Sequence, residues 1–336
     1  MEKERIWYFD FLRVLATFAV ILLHISGSVF DPEAQCSIGE YWFGIGSNAA
    51  TRWAVPCFVM LSGALFLKPQ KEITLKKLYG KYVLRLLVIF LSWTLLYTFL
   101  FNPSLFWIKG LSPVTPHLSF VYNYPFHLWF IPMLIGVYMM FPVLRLVAKD
   151  EKVTDYFLVL WFLFTLLAFI PGIVADTVAL LQVRLVIGCA GYALLGYRIS
   201  SAPKKLGKGK VLILFFLSLV LMGVITGLSK DLESFYEYLA PNVMLFSASV
   251  FLLGKYMGDR ISRSVALKKV IDFVKDDLLG IYLIHVFYMS LLFRPFFINR
   301  LSYFVSIPLF TILVFVASLF TIKLLRKIPG IRYICS

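Results

Sequence analysis

Charge is what this sequence has least of. Only 15% of its 336 residues are charged, while 60% are hydrophobic. Soluble domains carry about a quarter charged residues and about half apolar ones. A mean hydropathy of +0.85 therefore excludes an ordinary soluble domain. Cysteine is scarce as well: Cys36, Cys57, Cys189 and Cys335 are scattered, and no pair has metal or redox spacing. Cys57 and Cys189 lie in apolar runs and read as small core residues, so no disulfide framework is expected. The sequence also lacks a phosphate loop, a Rossmann glycine pattern, a zinc-type cluster, a low-complexity tract and a short repeat. No metal site is expected. Acidic residues are few against 33 Lys and Arg, and the net charge is +15. That excess does not indicate nucleic acid, because the basic residues sit between apolar runs, where they set membrane topology.

What is present is a series of ten apolar stretches, near 8–30, 48–67, 79–101, 125–147, 154–172, 177–198, 211–229, 237–257, 278–296 and 302–325. About 20 apolar residues span a hydrocarbon core of about 30 Å. Lys and Arg crowd the N-terminus, every second connection (Lys68 to Lys81, Arg145 to Lys152, Arg198 to Lys210, Lys255 to Lys275) and the tail. The alternate connections are poor in both. The expected fold is an all-α polytopic membrane bundle of about ten transmembrane helices. Both termini would be cytoplasmic, and residues 1–336 form a single integral-membrane domain. The first stretch carries Arg13 and reads as a retained helix, not a cleaved leader. Connections 31–47 and 102–124 are the longest external ones.

Some apolar stretches carry residues that are costly in a bilayer. In "YFDFLRVLATFAVILLHIS" (8–26), His24 lies eleven residues after Arg13. That is about 16 Å of rise and three turns plus about 20°, so the two share a face. Asp10 joins that stripe and is spaced to pair with Arg13. Snorkelling and a satisfied core histidine are the bland alternatives. Arg52, Ser62, His127, Trp129, Arg184, Tyr282 and His285 are further polar or amphipathic residues within apolar segments. Trp129 also suits an interfacial belt, and Arg184 a structural ion pair. In "LKKLYGKYVLR" (75–85), Lys77, Lys81 and Arg85 recur every four residues and would line one helical face. Such a face suits anionic membrane lipids or a phosphate-bearing ligand.

The order of these segments resembles the membrane-bound acyltransferase 3 family. "YFDFLRVLATFAVILLH" resembles its first-helix signature and "TRWAVPCFVMLSGALFL" its second helix. "KKLYGKYVLRLL" resembles its basic segment, with Lys81 where many members have arginine. "HLWFIPMLIGVYMMFPVLR" and "GIYLIHVF" resemble its fourth-helix and late Tyr-Leu-x-His motifs. The resemblance runs from residue 8 to about 288.

It implies a multi-pass enzyme of the cell membrane, a bacterial inner membrane, moving an acyl group from cytoplasmic acyl-CoA to a hydroxyl. Acetyl-CoA is the expected donor, and an envelope glycan or lipid-linked sugar the acceptor. On that reading His24, Arg13, Arg52 and His285 carry the chemistry. Lys77, Lys81, Arg85 and Arg13 hold the donor. Trp129, His127, Arg184 and Tyr282 shape the acceptor path. Two rival classes fit an apolar bundle with buried charges: a secondary transporter or flippase, and a non-catalytic membrane sensor.

Overall fold

The computed structural model describes residues 5–31, 34–70, 73–101, 125–167, 178–228, 236–293 and 301–335; the side chains of residues 167, 178–187 and 293 fall outside that description. It is 84% helical, with no strand among the described residues. An apolar chain in lipid must satisfy its backbone internally, and helices do so within each segment.

Helix α1 is Trp7–Ser26, continued by a 3-10 turn at Gly27–Phe30. Ile38–Ala49 is α2 and Ala54–Phe66 is α3. Helix α4, Leu75–Phe101, contains a π-helical stretch at Leu78–Val83. Helix α5, Phe126–Val147, opens with a 3-10 turn. Then come α6 (Glu151–Leu167), α7 (Val178–Ser201) and α8 (Lys208–Leu228). Helix α9 is Pro241–Arg263 and α10 Val265–Val274. Leu278–Tyr288 is α11, followed by π-helical Met289–Phe293. Tyr303–Leu325 is α12 and Ile331–Cys335 is α13.

Each of the ten apolar stretches coincides with a helix in its described part. Six helical segments have the length and hydropathy to cross a membrane: Trp7–Phe30, Ile38–Phe66, Leu75–Phe101, Phe126–Val147, Lys208–Leu228 and Tyr303–Leu325; Leu278–Leu292 is a shorter apolar helix. Helix α6 has 17 residues, and α9 ends on Lys255, Asp259, Arg260 and Arg263. The protein is a multi-pass membrane protein built from helices.

Connection 31–47 is not the plain loop expected. Ser37 and Glu40 form a reciprocal capping box that starts α2 at Ile38. The expected external connection 102–124 lies outside the described residues. Cys57, Cys189 and Cys335 are buried, and all four cysteines are free.

Helix α1 is the hub, packing against α2, α3, α9, α10, α11 and α12. Helix α8 is peripheral and turns Ile213, Phe216, Leu217 and Val220 outward. Helices α3 and α7 make the closest contact. A Cβ built on Gly63 would lie 1.9 Å from the Ala193 carbonyl oxygen, and one on Gly196 would lie 2.1 Å from that of Met60. Small residues let helix backbones approach this closely in a membrane.

The basic residues of distant segments meet at one end of the bundle. Arg5 pairs with Asp10 at 2.7 Å and with Asp272 at 2.6 Å. Lys275 also reaches Asp272 at 2.7 Å. Together, Lys275 and Arg5 hold the Asp272 carboxyl below its usual pKa. Asp277 is 1% exposed and takes Lys323 at 2.8 Å together with Arg326. These pairs tie the start of α11 to the end of α12.

Two glycine substitutions test the close packing. Gly63→Val should destabilise the purified protein by about 3 kcal/mol or more through overpacking. Gly223→Ala meets open space on α8 and should cost nothing, or stabilise by about 0.5 kcal/mol. Thermal unfolding in detergent measures both.

Candidate active site

Three histidines from three helices converge. The His24 ring of α1 stacks on the His285 ring of α11, with centroids 5.2 Å apart and planes at 26°. His127, from the first turn of α5, meets His285 edge to face at 5.3 Å. Phe126 covers His24 at 5.2 Å, and Tyr97 of α4 covers His127 at 5.1 Å.

Backbone carbonyls assign the protons of two of these rings. His285 Nδ1 lies 2.6 Å from the Tyr282 carbonyl oxygen, and His127 Nε2 lies 3.2 Å from that of Leu283. A carbonyl only accepts, so each of those nitrogens carries the hydrogen. His285 Nε2 and His127 Nδ1 are then bare lone pairs, buried and without a hydrogen-bond partner. His24 differs. It is only half-buried, whereas His127 is 1% and His285 0% exposed. Its ring is in contact with the cluster but is less completely enclosed than the other two.

The fold brings the three histidines together. Among the described residues, no group of three His, Cys, Asp or Glu side chains could hold an ion.

Arg52 approaches His24 from the turn before α3 and interacts with it electrostatically. Its Nε donates to Asn48 Oδ1 at 2.8 Å and its Nη1 to the Tyr236 carbonyl at 3.1 Å. The guanidinium lies 4.5 Å from the Tyr236 ring and 5.8 Å from the Tyr238 ring. Trp129 stacks on Tyr238 at 5.3 Å. Asn48 also donates from Nδ2 to the Leu23 carbonyl at 2.8 Å. It thus fixes Arg52 to the residue before His24.

Below this cluster lies a cavity of about 550 Å³. Its wall holds Arg13, Arg85, Lys275 and Arg326, with Ser62 and Tyr138 beside Arg13 and Arg85, and it also holds Phe130 and Tyr282. Tyr282 is the link between cavity and cluster. Its ring contacts His127 at 6.1 Å and His285 at 5.9 Å, and its hydroxyl donates to the His127 carbonyl.

The candidates read from the sequence therefore separate into groups. His24, Arg52, His127 and His285 form the cluster, Trp129 flanks it and Tyr282 borders it. Arg13 pairs with Asp10 at 3.0 Å and lines the cavity with Arg85. Lys77 and Lys81 are exposed and absent from the cavity wall. The helix is π-helical at Leu78–Val83, and of the three basic residues only Arg85 lines the cavity. Arg184 sits in α7, with its side chain outside the described residues. Asn48, Tyr97, Tyr236, Tyr238, Lys275 and Arg326 were not singled out from the sequence. Only Asn48 carried a local signal, four residues before Arg52 on a helical path.

A family model described as an acyltransferase domain matches residues 6–323. The chain belongs to the acyltransferase 3 family. Its helices and this membership make it a membrane acyltransferase. Neither the curated proteins nor the solved structures gave a match.

Asn48 is expected to position Arg52. Asn48→Ala should lower acyl-transfer turnover about tenfold, as expected for loss of a hydrogen bond to a charged group. Asn48→Asp keeps an acceptor for Arg52 but loses the donor to the Leu23 carbonyl, and should restore only part of it. Steady-state rates of the two variants provide the comparison.

Proposed function

We propose that this protein transfers an acyl group, acetyl first, from cytoplasmic acyl-CoA to a hydroxyl of an envelope glycan or lipid-linked sugar. One observation carries the reading: a cation-lined cavity runs to Tyr282, the residue that borders the histidine cluster. The basic end is the cytoplasmic one on this reading, as expected from the placement of positive charge. The donor's phosphates stay with Arg13 and Arg85, and Lys77 and Lys81 lie on the approach. Its thin arm extends past Ser62 and Tyr138 and carries the thioester beyond Tyr282 and Phe130 to His24. The acceptor enters from the opposite side, along Trp129 and His127.

His24 is the general base. It takes the proton of the acceptor hydroxyl as the oxygen attacks the thioester carbon, because an unassisted hydroxyl is a weak nucleophile. A tetrahedral oxyanion forms, then collapses with cleavage of the carbon–sulfur bond. The departing thiolate takes the proton back from His24. Arg52 stabilises the oxyanion through N–H groups beyond those bound to Asn48 and Tyr236, and its charge is worth most in a dry site. His285 is the weaker choice for that role, because its one N–H is turned to the Tyr282 carbonyl. It sets the plane of the His24 ring instead.

Purified protein in liposomes, supplied with labelled acetyl-CoA and envelope extract, tests this reading. His24→Ala should lower transfer by about 10²–10⁴, and Arg52→Gln by about 10², with both variants melting near the wild-type temperature. Wild-type turnover in a folded His24→Ala would remove the base assignment. Uptake of an envelope precursor into sealed vesicles without acyl-CoA would favour transport.

A further inference from the structure

The basic face expected at Lys77, Lys81 and Arg85 does not reach the cavity as a unit. Only Arg85 lines it. Two cations from the other end of the chain stand in the wall instead. Lys275 precedes α11, and Arg326 follows α12. We infer that Lys275 and Arg326 complete, with Arg13 and Arg85, the seat for the nucleotide phosphates of acyl-CoA. This rests on the donor assignment above and adds residues that the sequence motifs did not indicate.

Three observations support it. The first is charge. Four cations line the cavity against one carboxylate, Asp276. A diphosphate and a phosphomonoester together carry about four negative charges. The second is spare hydrogen-bonding capacity. Arg326 is anchored to buried Asp277, yet its Nε–H is buried and has no acceptor. Arg85 has no carboxylate partner among the described residues. Lys275 is held only by Asp272, which is itself shared with Arg5. The third is position. Tyr138 stands beside Arg13 and Arg85, while uncharged Leu134, Phe130 and Tyr282 carry the wall on to the residue that borders the histidines and suit an uncharged arm. The cavity thus divides into a charged seat and a neutral passage.

Direct binding of two probes tests this division. Coenzyme A carries the phosphates; pantetheine carries only the arm. Lys275→Gln and Arg326→Gln should each weaken coenzyme A binding about tenfold or more, the cost of a lost charge-assisted hydrogen bond. Pantetheine binding should change less than about twofold. Lys204→Gln removes a cation of the same sign, paired with exposed Asp259, and should leave both affinities unchanged. Arg326→Gln removes one of the two cations on buried Asp277, so Lys275→Gln, whose partner is exposed, carries the test if the former unfolds. Equal coenzyme A affinity in wild type and Lys275→Gln would overturn the inference alone. An equal loss for both probes would overturn it too. No binding of coenzyme A to the wild type would overturn the donor assignment with it.

Discussion

A reciprocal pair of hydrogen bonds between α5 and α11 holds the centre of this molecule. The His127 ring donates to the Leu283 carbonyl, and the Tyr282 hydroxyl donates to the His127 carbonyl. Tyr97 adds a third bond to the Leu283 carbonyl at 3.0 Å, and its own oxygen accepts from Phe287 N–H at 3.1 Å. In a bundle this apolar, polar side chains must find partners inside it. Those partners are backbone carbonyls of facing helices. His127 is consequently fixed in orientation and in tautomer, as His285 is by the Tyr282 carbonyl of its own helix, and α11 cannot rotate without breaking four bonds.

From that constraint the rest of the site follows. Fixing α11 sets His285 flat against His24, and it sets Tyr282 between cluster and cavity. The ion pairs at the basic end act on the same helix. Asp277, at the start of α11, holds Lys323 and Arg326 of the closing segment. One short helix thus carries a wall of the charged seat at its start and the histidine cluster further along. Helix α1 runs alongside it, with Arg13 at the cavity and His24 at the cluster. Two adjacent helices therefore define both ends of the proposed reaction path, and the tight α3–α7 contact keeps Arg52 in register with them.

Much of this was legible in the sequence, where one helix decided the geometry. The shared face of Asp10, Arg13 and His24 followed from helical arithmetic, and the Asp10–Arg13 pair is formed. The all-helical membrane character followed from apolar run length, and six helical segments have the length and hydropathy to span. What could not be read depended on distant partners. Of Lys77, Lys81 and Arg85 only Arg85 reaches the cavity, which their even spacing did not announce. Lys275 and Arg326 looked like topology-setting charges, and only folding brings them to Arg13. Tyr236 and Tyr238 reach Arg52 across 184 residues or more of chain. The capping box at Ser37 and Glu40, not singled out from the sequence, makes a helix, α2, within connection 31–47.

The account stands on His24 as the group that receives the acceptor's proton at the end of a donor cavity. The most direct measurement is mass spectrometry of envelope glycans from cells expressing the wild-type protein or His24→Ala at equal levels. The account predicts an acyl mass on a glycan in the first and its loss in the second. The same acyl mass at the same abundance in both would contradict it.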